Sequence, residues 1–134
     1  MTRLQIGAEV TTLGAATLTI GWRTLARAYF KSDPPSPLDL ENAIAAIEDE
    51  IARAGRAAMP SSAVAATDET IREIASACGA DAVLHTEAVE RAFTRLAGRA
   101  GVPGSPRVAA TLVILRELMH HLQIDSIRVA QKAG

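Results

Sequence analysis

The stretch SPRVAATLVILRELMHHL, residues 105–122, decides the fold that this sequence predicts. Ser105 and Pro106 favour a helix start, because serine caps helix N-termini and proline fits the first helical position. Apolar side chains then follow at helical spacing: Val108, Leu112, Leu115, Met119 and Leu122. Val113 and Ile114 widen this apolar surface well beyond that of an ordinary surface helix. The pattern predicts a helix that lies at the centre of the domain or in an interface between subunits.

Four more helices are predicted outside this stretch. They cover residues 13–30, 36–54, 67–78 and 86–100. Ser36 and Pro37 repeat the serine–proline start, and an apolar seam follows them: Leu40, Ile44, Ile47 and Ile51. The segment 13–30 is ambiguous, because residues 17–20 also fit a second strand in a hairpin around Gly14. We interpret it as helix throughout.

Alternating apolar and polar residues predict a strand near each end of the chain, at 4–10 and at 126–129. A lone strand is not stable, so we expect these two strands to pair with each other, with the helices packed on one face. Residues 59–66 and 80–85 are predicted as linkers, and residues 101–104 as a break. The predicted fold is therefore α+β. It is a helix-dominated single domain over residues 1–134, with four to five helices on a small sheet formed by the terminal strands.

Charge and composition exclude several classes of protein. The formal net charge is −1, whereas binding to nucleic acid or to an anionic membrane favours a basic excess. No apolar run approaches the roughly 20 residues of a membrane span, and the N-terminal residues lack the apolar stretch of a signal peptide. We therefore expect a cytoplasmic protein without a membrane partner, and the charge disfavours nucleic acid as a partner. The single cysteine, Cys78, suits a reduced residue in the core.

The scarcity of aromatic residues bears on assembly. The chain has one tryptophan, one tyrosine and two phenylalanines, so its core must be built from alanine and aliphatic side chains. Alanine buries little apolar area, and self-association would offset a thin core. The leading functional prediction is therefore an interaction or structural module, a homodimer, with no cofactor and no resident metal.

A second functional class rests on histidines and glutamates. Glu117 and His120 have the Glu-x-x-His spacing that places a carboxylate and an imidazole on one helix face, and His121 follows directly. His85 precedes Glu87 and Glu90 at the start of another predicted helix. These groups predict, as the alternative function, a small enzyme or metal-dependent protein that uses His85, Glu117, His120 or His121. Residues 48–50, an acidic run, offer a weaker cation site beside Arg53.

Known phosphate and nucleophile motifs are absent from the sequence. It contains no Gly-x-x-x-x-Gly-Lys-Ser/Thr loop, no Gly-x-Gly-x-x-Gly motif and no Gly-x-Ser-x-Gly elbow. Residues 70–99 resemble a helix-turn-helix, since Ala75 and Gly79 stand four apart as in the first helix and turn of that motif. A nucleic-acid-binding module of this kind is the third functional class. It would present Arg72, Arg91, Arg95 and Arg99 as a basic patch.

One further resemblance covers the end of the chain. Residues 112–129, a predicted helix followed by a predicted strand, are similar to the helix-then-strand close of the exopolyphosphatase-type phosphatases. The phosphate-binding glycine motifs of that family are missing here, so the resemblance assigns no site residue.

Overall fold

The computed structural model describes residues 1–98 and 105–130. Along the described chain the elements are β1 (Thr2–Ile6), β2 (Thr11–Leu13), β3 (Ala16–Leu18), α1 (Trp22–Tyr29), α2 (Pro37–Ala54), β4 (Val64–Ala66), α3 (Glu69–Ala77), β5 (Val83–His85), α4 (Thr86–Ala97), α5 (Pro106–His121) and β6 (Ser126–Val129). A 3-10 turn, Gly55–Ala58, follows α2. The predicted α+β class is confirmed, with the helices packed on one sheet. The predicted break at 101–104 lies outside the described residues, as do Arg99 and Ala100.

The strands form one mixed sheet in the order β3-β2-β1-β4-β6-β5. The prediction that the two terminal strands pair with each other is wrong, because β4 lies between them. Ala66 of β4 pairs with Leu4 of β1 on one side and with Val129 of β6 on the other, both in parallel register. The remaining pairs are antiparallel. The strand β4 spans only three residues, too few to show an alternating pattern, and it falls inside the predicted linker 59–66.

One face of the sheet is buried and the other is open. Residues that pair across strands and are buried include Leu4, Leu13, Ala66, Ile127 and Val129. Their neighbours along each strand point the opposite way. The exposed members of that second set are Arg3, Gln5, Thr17, His85 and Arg128. The helices therefore cover one face, as predicted.

The helix α5 lies at the centre of the helical layer. It contacts each of α1, α2, α3 and α4, and it also reaches β1. Ile114, Leu115 and Leu118 are completely buried. The wide apolar surface of α5 is thus covered within the chain itself, so its central position is confirmed and it gives no support to a subunit interface. None of the described helices has both the length and the apolar character needed to cross a bilayer.

Two further expectations from the sequence are wrong, one for residues 13–30 and one for residues 70–99. Residues 13–30 are not one helix: β2 and β3 form a hairpin around Gly14, whose φ of 58° suits glycine, and α1 begins only at Trp22. The hairpin weighed as the alternative is the correct interpretation. Likewise, β5 lies between α3 and α4 and pairs with β6. Residues 70–99 are therefore not a helix-turn-helix.

The helix α2 begins as predicted. The Ser36 hydroxyl accepts a hydrogen bond from the N–H of Asp39 at 3.1 Å, and the Asp39 carboxylate accepts one from the N–H of Ser36 at 3.1 Å. The same carboxylate also accepts bonds from the N–H groups of Lys31 and Ser32. The Ser36 N–H lowers the pKa of Asp39; burial acts in the opposite direction but does not reverse the shift. One carboxylate thus fixes the turn that joins α1 to α2.

Candidate functional site

Three chemically active side chains meet where the C-terminal half of α2 lies against the end of α5. His121 Nε2 lies 2.9 Å from Glu48 Oε2 and 3.3 Å from Glu117 Oε1. One ligand atom from each residue can be chosen so that all three lie within 4.8 Å of one another. Glu117 is buried, whereas Glu48 and His121 are partly open to solvent. We call Glu48, Glu117 and His121 the carboxylate–imidazole cluster.

The other oxygen of Glu117 is held by a neighbouring arginine. Arg116 Nη1 lies 2.5 Å from Glu117 Oε2, and Arg116 Nε lies 3.0 Å from Glu90 of α4. The guanidinium also lies over the ring of Phe93, 4.5 Å from its centroid. Burial lowers the pKa of Arg116, but the bonds to Glu117 and Glu90 raise it further, and the net shift is upward. The arginine is therefore a permanent cation that orients Glu117.

The structure brings together only part of the predicted site. Glu117 and His121 meet, and Glu90 joins them through Arg116. His120 stacks on the His121 ring at a centroid distance of 5.2 Å, whereas the ion pairs with Glu48 and Glu117 are made by His121. His85 lies on the open face of the sheet, at the end of the edge strand β5. Within the described residues, neither His85 nor His120 belongs to a group with metal-ligand spacing.

Glu48 is the member that the sequence does not link to the others. Its place in the acidic run 48–50 was the available signal, but the residue lies on the outward side of α2 and far along the chain from α5. Glu50, in the same acidic run, does not join the cluster and binds Thr19 and Arg53 instead. Its carboxylate accepts bonds from the N–H and hydroxyl of Thr19 and pairs with Arg53 at 2.5 Å. Burial raises the pKa of Glu50, but these hydrogen bonds outweigh it and the net shift is downward.

A second location of interest is the crevice at the carboxyl ends of the parallel strands β1 and β4. Such crevices are where open α/β sheets bind ligands. Here the N–H of Ile6 donates a 2.6 Å hydrogen bond to the carboxylate of Asp68, which stands at the N-terminus of α3. Burial raises the pKa of Asp68, and the bonds from Ile6 and the charge of Arg72 reduce that shift. The carboxylate of Asp68 thus already accepts a hydrogen bond from the Ile6 N–H, one of the backbone donors that line the crevice.

The loop beyond β1 is hydrogen-bonded to the start of α1. The carbonyl of Gly7 accepts the N–H of Trp22, and the carbonyl of Ala8 accepts the N–H of Arg23, both at 2.9 Å. The first backbone N–H groups of α1 are therefore bonded to carbonyls of this chain and are not available to a ligand. Gly21 makes this contact possible, since a Cβ at this position would lie 2.4 Å from the Gly7 oxygen.

The outer side of α1 borders an open groove of about 480 Å³. Its walls include the half-buried aromatic rings of Trp22 and Phe30 and the cationic side chains of Arg27 and Lys31. Arg23 also borders it, pairs with Glu9 and lies over the Trp22 ring. Within residues 1–98 and 105–130, Arg27 and Lys31 form no ion pair. We call this feature the α1 groove.

Cys78 lies at the end of α3, half-buried, with its thiol 3.8 Å from the carbonyl of Ala88. Burial raises the pKa of the Cys78 thiol, and the nearby charges of Arg91 and Arg95 only reduce that effect. The thiol is therefore protonated near neutral pH, which fits the packing residue that the sequence predicts.

No protein-family model and no curated protein sequence matches this chain. Solved structures do resemble it. It is similar to the Aquifex aeolicus PPX-GPPA enzyme, with a TM-score of 0.72 and 17% identity over 97% of this chain and 52% of that one. An exopolyphosphatase-like protein gives a TM-score of 0.79 and 16% identity over 97% and 55%. The type II variant of the Aquifex aeolicus Ppx/GppA phosphatase gives 0.74 and 16% over 97% and 52%. At these identities the likeness shows the fold alone, and this chain spans about half the length of each neighbour.

Proposed function

We propose that this chain is a half-unit of an exopolyphosphatase-like phosphatase, and that it binds a polyanionic phosphate chain without cleaving it. The observation that carries the proposal is the fold likeness, which extends over 97% of this chain and about half of the proteins it resembles. The chain would then be an interaction module, as the sequence predicts, with a phosphate chain as its ligand.

The crevice between β1 and β4 supports a non-catalytic role. Phosphate binding at such a crevice uses free backbone N–H groups and the positive end of a helix. In this chain the N–H of Ile6 is bonded to Asp68, and the N–H of Gly7 is bonded to Val10. Asp68 and Glu69 also place two acidic side chains at the N-terminus of α3. Both features disfavour an anion there.

The α1 groove supports the binding role. Arg27 and Lys31 offer two cations without ion-pair partners among the described residues, against one acidic residue of the lining, Asp33, and they lie beside the aromatic rings of Trp22 and Phe30. Local positive charge concentrates anions near a surface even when the net charge of the protein is close to zero. A flexible phosphate chain could meet both cations at once, whereas a single phosphate would meet one.

Fluorescence of Trp22 provides a direct test, because it is the only tryptophan in the chain. Titration with inorganic polyphosphate at low salt should change its emission, and the affinity should fall steeply as salt rises. The double variant Arg27→Gln/Lys31→Gln should bind at least about tenfold more weakly, since each cation contributes roughly 1 kcal/mol at an anionic surface. The control is Arg3→Gln/Arg56→Gln, which removes the same charge from exposed positions outside the groove and should bind nearly as well as the wild type.

Two results would contradict the proposal. Equal affinities for the two double variants would mean that the groove is not the binding surface. Release of phosphate from polyphosphate by the purified chain, at a rate that depends on Asp68 or another residue of the crevice, would mean that the half-unit is catalytic after all. A parallel titration with polyglutamate of matched charge distinguishes recognition of phosphate groups from general attraction of negative charge.

Assembly and location stay predictions. The aromatic-poor core still favours a homodimer, although α5 is covered within the chain and no longer argues for one. Light scattering at high concentration should give twice the chain mass, and a strict monomer would contradict it. A cytoplasmic location is likewise the expectation from the sequence.

A further inference from the structure

We propose that Glu48, Glu117 and His121 form a binding site for one divalent transition-metal ion of the zinc class. The site is independent of the polyanion-binding function proposed above and uses different residues. Its ligands would be two carboxylate oxygens and one imidazole nitrogen, Nε2 of His121. The ion would join the outer side of α2 to the C-terminal end of α5.

The spacing of the ligand atoms fits such an ion. A tetrahedral zinc ion with bonds of about 2.0–2.1 Å keeps its ligand atoms about 3.3 Å apart. His121 Nε2 lies 2.9 Å from Glu48 Oε2 and 3.3 Å from Glu117 Oε1. The imidazole nitrogen therefore already lies at ligand spacing from both carboxylates, and a set of donor atoms from the three residues lies within 4.8 Å of one another.

The charges around the cluster also favour a cation. The cluster and its neighbours include three carboxylates, of Glu48, Glu90 and Glu117, and one permanent cation, Arg116, which pairs with Glu90 and Glu117. With a neutral imidazole the group has an excess of negative charge, and one divalent ion would bring it to neutrality. The buried position of Glu117 makes this balance matter, because charge is poorly screened where water is excluded.

The buried ligand is held in position before an ion arrives. Arg116 binds Glu117 Oε2 and leaves Oε1 directed at His121. Partners of this kind, which orient a ligand from its far side, are a regular feature of metal sites. The spacing of four residues between Glu117 and His121 puts both on one face of α5, and Glu48 completes the set from α2.

The donor types point to the class of metal. Imidazole favours zinc and similar transition metals, whereas magnesium and calcium prefer oxygen ligands alone. Glu48 and His121 are partly exposed, so the fourth position would face solvent and hold water. Three protein ligands with one open position distinguish this arrangement from closed structural zinc sites.

The test titrates the purified chain with ZnCl₂ and follows heat release and thermal unfolding. The wild type should bind one equivalent and unfold at a higher temperature. His121→Ala should weaken binding roughly 100-fold or more, and Glu48→Gln should also weaken it. The matched controls are His120→Ala, which removes the adjacent stacked imidazole, and Glu41→Gln, which removes an exposed carboxylate on the same face of α2. Both should bind as the wild type does.

These surface variants keep the test valid even if replacing the buried Glu117 prevents folding. Absence of binding by the folded wild type would overturn the proposal and leave the cluster as a contact between His121 and two carboxylates. Equal binding by His121→Ala and His120→Ala would also overturn it. X-ray absorption at the zinc edge should show one imidazole nitrogen with oxygen ligands and no sulfur. Binding should weaken on acidification, because a ligating imidazole must be unprotonated.

Discussion

Replacing Gly21 by alanine tests whether the loop after β1 is locked onto the start of α1. The backbone of Gly21, with φ −131° and ψ −178°, is extended and open to any residue. The requirement for glycine is therefore one of space alone. An alanine Cβ would lie 2.4 Å from the Gly7 oxygen and 2.5 Å from the carbonyl carbon and oxygen of Ala8. These are backbone atoms, so no side-chain rotation can relieve the overlap.

The expected loss of unfolding free energy can be worked out from the movement that the alanine would force on the Gly7–Ala8 loop. The Gly7–Ala8 loop would have to withdraw, and the hydrogen bonds from the N–H groups of Trp22 and Arg23 to its carbonyls would be lost. Each contributes about 1 kcal/mol net, and the donors left without partners add a similar amount. We expect Gly21→Ala to lower the free energy of unfolding by about 3 kcal/mol. A chain of this length has a stability of roughly 7–20 kcal/mol, so the variant should still fold.

Urea denaturation followed by circular dichroism measures this loss. With a slope of about 2 kcal/mol/M, the midpoint should fall by about 1.5 M. The control is Gly79→Ala. There φ is 75°, the hydrogen bonds are those of a left-handed helix C-cap, and a Cβ meets nothing within 4 Å, so only backbone strain of about 1–2 kcal/mol is expected. If Gly21→Ala costs no more than Gly79→Ala, or less than about 1 kcal/mol, the argument from the locked loop is wrong.

Two further predictions concern single polar groups. Within the described residues, the buried hydroxyl of Thr111 has no hydrogen-bond partner, so Thr111→Val should raise the free energy of unfolding by about 1 kcal/mol; a loss of stability in urea would show that the hydroxyl is satisfied. The pKa of Asp39 is lowered mainly by the Ser36 N–H, and that of Glu50 by Thr19 and Arg53 against the effect of burial. Because both carboxyls have lower pKa values folded than unfolded, their stabilisation is complete above the unfolded values near 4 and is lost as the pH falls through the folded ones. The variant Asp39→Asn/Glu50→Gln should therefore lose less stability than the wild type between about pH 6 and pH 2.5, and parallel pH curves would contradict this.

The sequence predicted only part of the candidate site. Glu117 and His121 stand four residues apart on one helix, so local periodicity places them on the same face. Glu48 joins them only because α2 packs against α5, and no local pattern encodes which turn of one helix meets which turn of another.

The sequence by itself determined the helices α2 to α5, and it limited α5 to the centre of the domain or a subunit interface. Caps such as Ser36 and the apolar seams act within a few residues, and that range is visible in a linear pattern. Only the tertiary structure decided the sheet. The strands β2, β3, β4 and β5 have three residues each, which is too short for alternation to stand out. They are stabilised by hydrogen bonds to partners elsewhere in the chain, as when β4 enters between β1 and β6. Strand pairing is a property of both partners, so neither segment shows it alone.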